Sequence, residues 1–197
     1  REPQVEDVDQ CVAAMLRHQP AKGDLVLGIG GGSALDLAKA VAAVAVQKHQ
    51  ASVVEYLEGV GSGLTIDEPS LPMIAVPTTA GTGSEATKNA VISSYDPPFK
   101  KSLRSAEMVP RLVVVDPELT VHCPAQVTAH SGMDAITQLI ESYLTRRATP
   151  VTDMLTLTGL EGTSEALPKA YEDGHLREAR ERMSQAALLS GIALANS

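Results

Sequence analysis

The apolar run Leu25-Val26-Leu27-Gly28-Ile29 stops at Gly30-Gly31-Gly32-Ser33 and is followed at once by Ala34-Leu35-Asp36-Leu37-Ala38-Lys39 and further alanine and valine. No other part of the chain constrains the fold as much. A short apolar run bounded by glycine reads as a buried strand, here over residues 24–29. The alanine-rich stretch behind it reads as a helix. A glycine turn between the two aims free backbone N–H groups and the positive end of a helix dipole at one point, where an anion such as a phosphate fits. Glycine also admits a ligand close to the backbone, because no Cβ intervenes. The spacing is not Gly-x-Gly-x-x-Gly, so the usual dinucleotide fingerprint is not met. Ser33 with Asp36 three residues on also fits a variant capping box, and that local role stands beside the phosphate-binding one.

Strands and helices continue to alternate up to about residue 120. Residues 5–18 carry Val8, Cys11, Val12, Met15 and Leu16 at helical spacing, and residues 33–47 extend the alanine-rich helix. A short helix near residues 53–57 precedes a glycine-rich loop. Residues 73–76, 89–93 and 112–115 read as strands, the last closed by Asp116-Pro117. This alternation predicts an α/β layer with a mostly parallel sheet. From about Pro124 no strand-like run of β-branched residues remains. Residues 125–144, 150–170 and 176–196 read as three helices, with Pro150 suited to a first turn and Asp173-Gly174 to a connection. The expected organisation is an α/β domain over residues 1–120 and the start of an all-helical domain over residues 121–197.

Composition narrows the function. A net charge of −8 with 3% aromatic residues and no Trp disfavours nucleic acid, which requires basic surface and often stacking rings. No apolar run is long enough to span a bilayer. Cys11 and Cys123 are isolated, which predicts a reduced, cytoplasmic protein. The chain begins without Met and stops in an apolar helical run at Ser197, so it reads as an internal segment of a longer protein. His18, His49, His122 and His175 have no partner pattern and read as surface residues.

A second small-residue loop, Pro77-Thr78-Thr79-Ala80-Gly81-Thr82-Gly83-Ser84-Glu85, follows the strand at 73–76 directly. It reads either as a turn stabilised by local hydroxyl-to-backbone bonds or, beside the first loop at the carboxyl edge of the sheet, as the other half of a dinucleotide cradle. Further on, Gly132-Met133-Asp134 opens a helical stretch in which Asp134, Gln138 and Glu141 nearly share a face. Asp134 there is either a first-turn or surface carboxylate, or an inward one that holds a cation.

Taken in order, Gly-Gly-Gly-Ser-x-x-Asp-x-x-Lys, Pro-Thr-Thr-Ala-Gly-Thr-Gly-Ser-Glu, Val-Asp-Pro-Glu-Leu-Thr and Gly-Met-Asp-Ala-x-x-x-x-x-Glu resemble the iron-containing (group III) alcohol dehydrogenase family, over essentially the whole chain. The resemblance implies a Rossmann-like α/β part followed by an all-α part, a dehydroquinate synthase-like architecture, with the active site in the cleft between them. It implies hydride transfer between NAD or NADP and a small alcohol, aldehyde or keto acid, assisted by a divalent metal, Fe2+ or Zn2+. Carried over by position, Gly30, Gly31, Gly32 and Ser33 would wrap the pyrophosphate, with Asp36 an acid of the same motif. Thr78, Thr79 and Thr82 would contact phosphate, ribose or nicotinamide. Asn89 and Lys100 match further cofactor positions, Lys101 competing with Lys100. Asp134 matches the first metal ligand.

One departure concerns that metal. The family pattern has His four residues after the Asp, and this chain has Gln138, whose amide oxygen is a poorer donor to Fe2+ or Zn2+ than imidazole. The family's remaining His ligands are not among these residues, and His130, four residues before Asp134, is the other candidate donor. Two alternatives follow: a metal-independent reductase of the maleylacetate-reductase-like branch, or a non-catalytic or truncated nucleotide-binding module. The resemblance implies a homodimer for the complete protein.

Overall fold

A computed structural model describes residues 1–21 and 23–197. They form two compact units. One comprises Arg1–Ile29, Ser33–Ala75 and Lys88–Val113; the other comprises Gly30–Gly32, Val76–Thr87 and Val114–Ser197.

The first unit opens with α1 (Val5–Arg17), started by Asp7, whose carboxylate accepts from the Gln4 N–H at 2.8 Å. Its apolar face buries Val8 and Val12. Then follow β1 (Val26–Gly30), α2 (Gly32–Val44), β2 (Met73–Pro77), β3 (Asn89–Tyr95), β4 (Pro98–Arg104) and β5 (Leu112–Val113). β2 is the centre of a three-stranded sheet ordered β1-β2-β5. It pairs in parallel with β5, with Ile74 opposite Leu112 and Ala75 opposite Val113. On the other side, the Val26 N–H donates to the Pro72 carbonyl at 2.9 Å. Leu35 of α2 packs against Met73 and Ala75 on one sheet face. The main core gathers Val8, Val41, Val44, Leu57, Ile92 and Leu103.

The expected buried strand at residues 24–29 is half right. Successive strand side chains point to opposite faces, and Leu25, Leu27 and Ile29 are all more than half exposed. Leu112 shares their exposure at 53%, so β5 is likewise not a buried strand, and it ends at Val113 rather than residue 115. The strand expected at residues 89–93 lies outside this sheet. β3 and β4 form a separate antiparallel hairpin, in register from Asn89 opposite Arg104 to Tyr95 opposite Pro98.

In the second unit, α3 (Ala125–Leu144), α4 (Pro150–Leu160) and α5 (Thr163–Glu172) all pack on α6 (Arg177–Asn196). The single helix expected over 150–170 is two helices. Gly162 has φ +72°, a left-handed conformation that stops α4 and lets α5 start in a new direction. The interior is built from small residues, Ala135, Ala166, Ala170, Ala179 and Ala187, around Leu167 and Met183. Arg180 is buried. Its guanidinium donates to the Gly174 carbonyl at 2.9 Å, to Thr128 Oγ1 at 2.8 Å and to the Cys123 carbonyl at 3.4 Å. Burial lowers its pKa from the ordinary arginine value, with Cys123 and Asp173 acting in the opposite direction. Among the described residues no helix is long and apolar enough to cross a membrane.

Candidate functional site

β1 ends at Gly30, and α2 starts two residues later at Gly32. The first-turn N–H groups of α2 have no intrahelical partner and carry the positive end of its dipole. β2 ends at Pro77 and leads into the threonine loop. The two loops meet within one unit. The Thr78 N–H donates to the Gly30 carbonyl at 2.9 Å. A Cβ at Gly31 would lie 3.3 Å from Thr79 Cγ2, and a Cβ at Gly32 would lie 2.6 Å from Thr82 Cγ2 and 2.7 Å from its Oγ1. The absence of a Cβ at position 32 therefore lets a threonine stand beside the helix start. Thr82 Oγ1 also accepts from the Ser84 N–H at 3.3 Å, a local bond of the kind the turn reading anticipates. Gly30, Gly31, Gly32, Thr78, Thr79 and Thr82 thus lie together as one half-exposed group of backbone and hydroxyl groups without charge, a set suited to phosphate oxygens.

The other candidates lie in the first unit. Ser33 is exposed in the first turn of α2, and because the helix already begins at Gly32, Ser33 is not its N-cap. Nor does Asp36 complete a capping box. Its carboxylate accepts from the Val91 N–H at 2.9 Å and pairs with Lys39 at 3.2 Å. Lys39 is fully buried and also donates to the Asn89 carbonyl. Asp36, Lys39 and the start of β3 are therefore one polar cluster that ties α2 to the hairpin. Lys100 and Lys101 stand on β4, opposite Ser93 and Ile92, rather than in a loop. Lys100 pairs with Glu2 at 2.5 Å, and that hydrogen bond holds the Glu2 carboxyl below its usual range.

His130, Asp134 and Gln138 recur every fourth residue along α3. His130 and Asp134 are exposed; Gln138 is half-buried, and its Oε1 accepts from Ser190 Oγ of α6 at 2.9 Å.

Residues 1–117 match the iron-containing alcohol dehydrogenase family, and residues 128–197 match the C-terminal part of the same family. The chain belongs to the iron-containing alcohol dehydrogenase family. It is 40% identical over 195 residues to long-chain-alcohol dehydrogenase 1 of Geobacillus thermodenitrificans, covering 99% of this chain and 47% of that protein. It is 40% identical over 173 residues to the NAD-dependent methanol dehydrogenase of Bacillus methanolicus, covering 88% of this chain and 44% of that protein. Among solved structures, sulfoacetaldehyde reductase from Bifidobacterium kashiwanohense in complex with NAD+ superposes with a TM-score of 0.90 at 34% identity, over 98% of this chain and 49% of that one. The chain spans about half the length of the relatives it matches. A parallel sheet with helices followed by an all-helical part, the dehydroquinate synthase-like architecture, is the fold these family members share.

The family's metal is a separate question for these residues. Asp134 is one exposed carboxylate, and the amide oxygen of Gln138 is engaged by Ser190. Among the described residues no group of three His, Cys, Asp or Glu side chains is placed to hold a metal ion. The donor set of this chain therefore does not by itself fit a divalent cation.

Lys39 is the structurally important residue to which the sequence motif attaches no role. A lone lysine among ten mostly apolar helical residues was the available signal.

Proposed function

We propose that the protein carrying this chain is an NAD(P)-dependent alcohol dehydrogenase, working as a carbonyl reductase in the opposite direction, on a small alcohol, aldehyde or keto acid. The observation that carries the reading is the meeting of the two small-residue loops at the start of α2, with Gly32 and Thr82 in mutual contact. The names of the relatives, an NAD-dependent methanol dehydrogenase and a long-chain-alcohol dehydrogenase, support it and favour it over the metal-independent maleylacetate-reductase-like branch. The NAD+ complex of the sulfoacetaldehyde reductase supports a nicotinamide cofactor.

In this reading Gly30, Gly31, Gly32 and Ser33 receive the pyrophosphate at the helix start, where N–H groups meet its charge without a competing side chain. Thr78, Thr79 and Thr82 donate hydroxyls to the phosphates or ribose and fix the orientation of the rest of the cofactor. Asn89 and Lys100 complete the cofactor contacts, and Asp36 acts through the helix. The bound nicotinamide supplies the hydride chemistry; the chain supplies binding and orientation, which bring the reacting carbons together. Asp134 is the residue this chain would contribute to the family's Fe2+ or Zn2+ site.

The dinucleotide-binding domain spans residues 1–120 and the helical metal and substrate domain begins at 121, in line with the break between the two family matches. A homodimer in the cytoplasm completes the proposal; family resemblance supports the first, and the unpaired Cys11 and Cys123 accord with the second. The test is titration of the full-length protein with NAD+ and NADP+, followed by reduction assays with a series of primary alcohols. Saturable binding of one cofactor and alcohol-dependent formation of its reduced form are expected. Absence of binding to either at millimolar concentration overturns the reading.

A further inference from the structure

The threonine loop carries two glycines of its own, Gly81 and Gly83, and neither faces the glycine turn. A Cβ at Gly81 would lie 2.4 Å from Ser131 Cβ, 2.5 Å from the Ser131 carbonyl oxygen and 2.7 Å from Ser131 Cα, all on α3. A Cβ at Gly83 would lie 2.5 Å from Gly191 Cα and 2.6 Å from Gly191 N, on α6. The second contact is reciprocal: a Cβ at Gly191 would lie 2.3 Å from the Gly83 carbonyl oxygen and 2.8 Å from Gly83 Cα. Real Cβ atoms are not found at such distances, and the opposing atoms are mostly backbone, which no rotamer change can move aside.

We infer that Gly81, Gly83, Ser131 and Gly191 are positioning residues that seat the threonine loop backbone-to-backbone on α3 and α6. The inference rests on the proposed cofactor role of the loop and deepens it. The seat at Ser131 lies less than one turn from Asp134 on the same helix. The backbone of the threonine loop is therefore held against the stretch of α3 that carries Asp134. Two separate helices grip a loop of nine residues at positions two apart. Its middle, Thr82, has little freedom left, and Thr82 is also the residue in contact with Gly32. An orienting group displaced by about 1 Å loses on the order of a hundredfold in rate, so such a seat has a catalytic consequence as well as a structural one.

Gly191→Ala in the full-length protein is the direct test. Alanine is intrinsically the better helix former, so α6 itself gains and any loss comes from the loop contact. Gly159→Ala is the control. A Cβ at Gly159 would meet Leu139 Cδ2 at 2.7 Å, a side-chain end in the α3–α4 interface away from the loop. Hydrogen exchange of residues 77–87 and the dissociation constant for NAD+ are read for both. Gly191→Ala is expected to speed exchange across the loop and weaken NAD+ binding at least tenfold, with KM for the cofactor rising more than kcat falls. Gly159→Ala is expected to change neither. Ser131→Gly, which removes the Cβ facing Gly81 and adds no volume, provides the second arm and is expected to speed exchange in the same segment. Unchanged exchange at 77–87 in the folded variants, or the same change in Gly159→Ala, overturns the inference. A wild-type protein that binds no nicotinamide cofactor would sink the proposed function, while the exchange comparison would still decide whether the loop is seated as described.

Discussion

Replacing Lys39 by Met tests how much of the first unit depends on one buried charge. The Lys39 side chain has no exposure, and that of Asp36 retains 13%. Their charged atoms are 3.2 Å apart. At an effective dielectric constant near 20, that separation corresponds to an attraction of about 5 kcal/mol. Most of this offsets the cost of removing an ammonium group from water, so the pair adds little net stability as a unit. Removing one partner is different. Lys39→Met leaves the Asp36 carboxylate with its Val91 N–H but without its cation, and it takes a donor from the Asn89 carbonyl. A loss of roughly 3–5 kcal/mol is expected, the range seen when a buried pair is broken from one side. The double variant Asp36→Asn/Lys39→Met should recover most of that loss. Asparagine can still accept from the Val91 N–H, and the carboxylate charge that faced Lys39 is removed together with the ammonium. Urea denaturation of wild type, both single variants and the double variant gives the cycle. A Lys39→Met variant within about 1 kcal/mol of wild type, or a double variant worse than the sum of its singles, would refute the argument that Asp36 and Lys39 stabilise the fold as a coupled pair.

Two further outcomes follow from the helical unit. Gln138→His in the full-length protein exchanges an amide oxygen bonded to Ser190 for an imidazole nitrogen beside Asp134, and metal retained after purification, read by elemental analysis, should increase; unchanged metal content would show that position 138 is not a donor site. Arg180→Met leaves the Gly174 carbonyl and Thr128 Oγ1 without the guanidinium donor, and the Cys123 carbonyl with the Thr128 hydroxyl alone, while relieving a buried guanidinium, so a net loss of about 1–3 kcal/mol in thermal or chemical denaturation is expected, and a variant as stable as wild type would contradict it.

The two loops and the change from α/β to all-α were legible because each depends on local chemistry. Glycine after an apolar run, proline at a helix start and alanine-rich stretches act within a few residues. What was not legible depended on partners distant in sequence. Leu25, Leu27 and Ile29 form the same apolar run whether one or both sheet faces are covered, and only the structure shows that theirs is open. Gly162 lies inside the single helix expected over 150–170, and sequence does not state the positive φ by which it divides that helix in two. β4 was missed since Lys100, Lys101 and Arg104 break the apolar alternation of an exposed hairpin strand. The motif states a cofactor role for Asp36 but not its ion pair with Lys39, three residues on along the same helix, because side-chain pairing is not written in the spacing alone.

Glycine makes the deepest ambiguity, and it bears on how the candidate site is specified. A glycine reports that something comes close to the backbone, not what. Gly31 and Gly32 make room for threonine side chains, whereas Gly81, Gly83 and Gly191 make room for other backbone. The first kind of contact can relax through a rotamer; the second cannot. With aromatic residues at 3% of the chain, the helical unit packs largely through alanine, glycine and serine, and its elements approach closely. A loop held by such contacts is located by main-chain geometry, and its hydroxyls inherit that precision without any ligand being present. Packing therefore restricts residues 81 and 83 to glycine before chemistry makes any demand, and chemistry is left to choose only the residues between and around them, Thr78, Thr79 and Thr82.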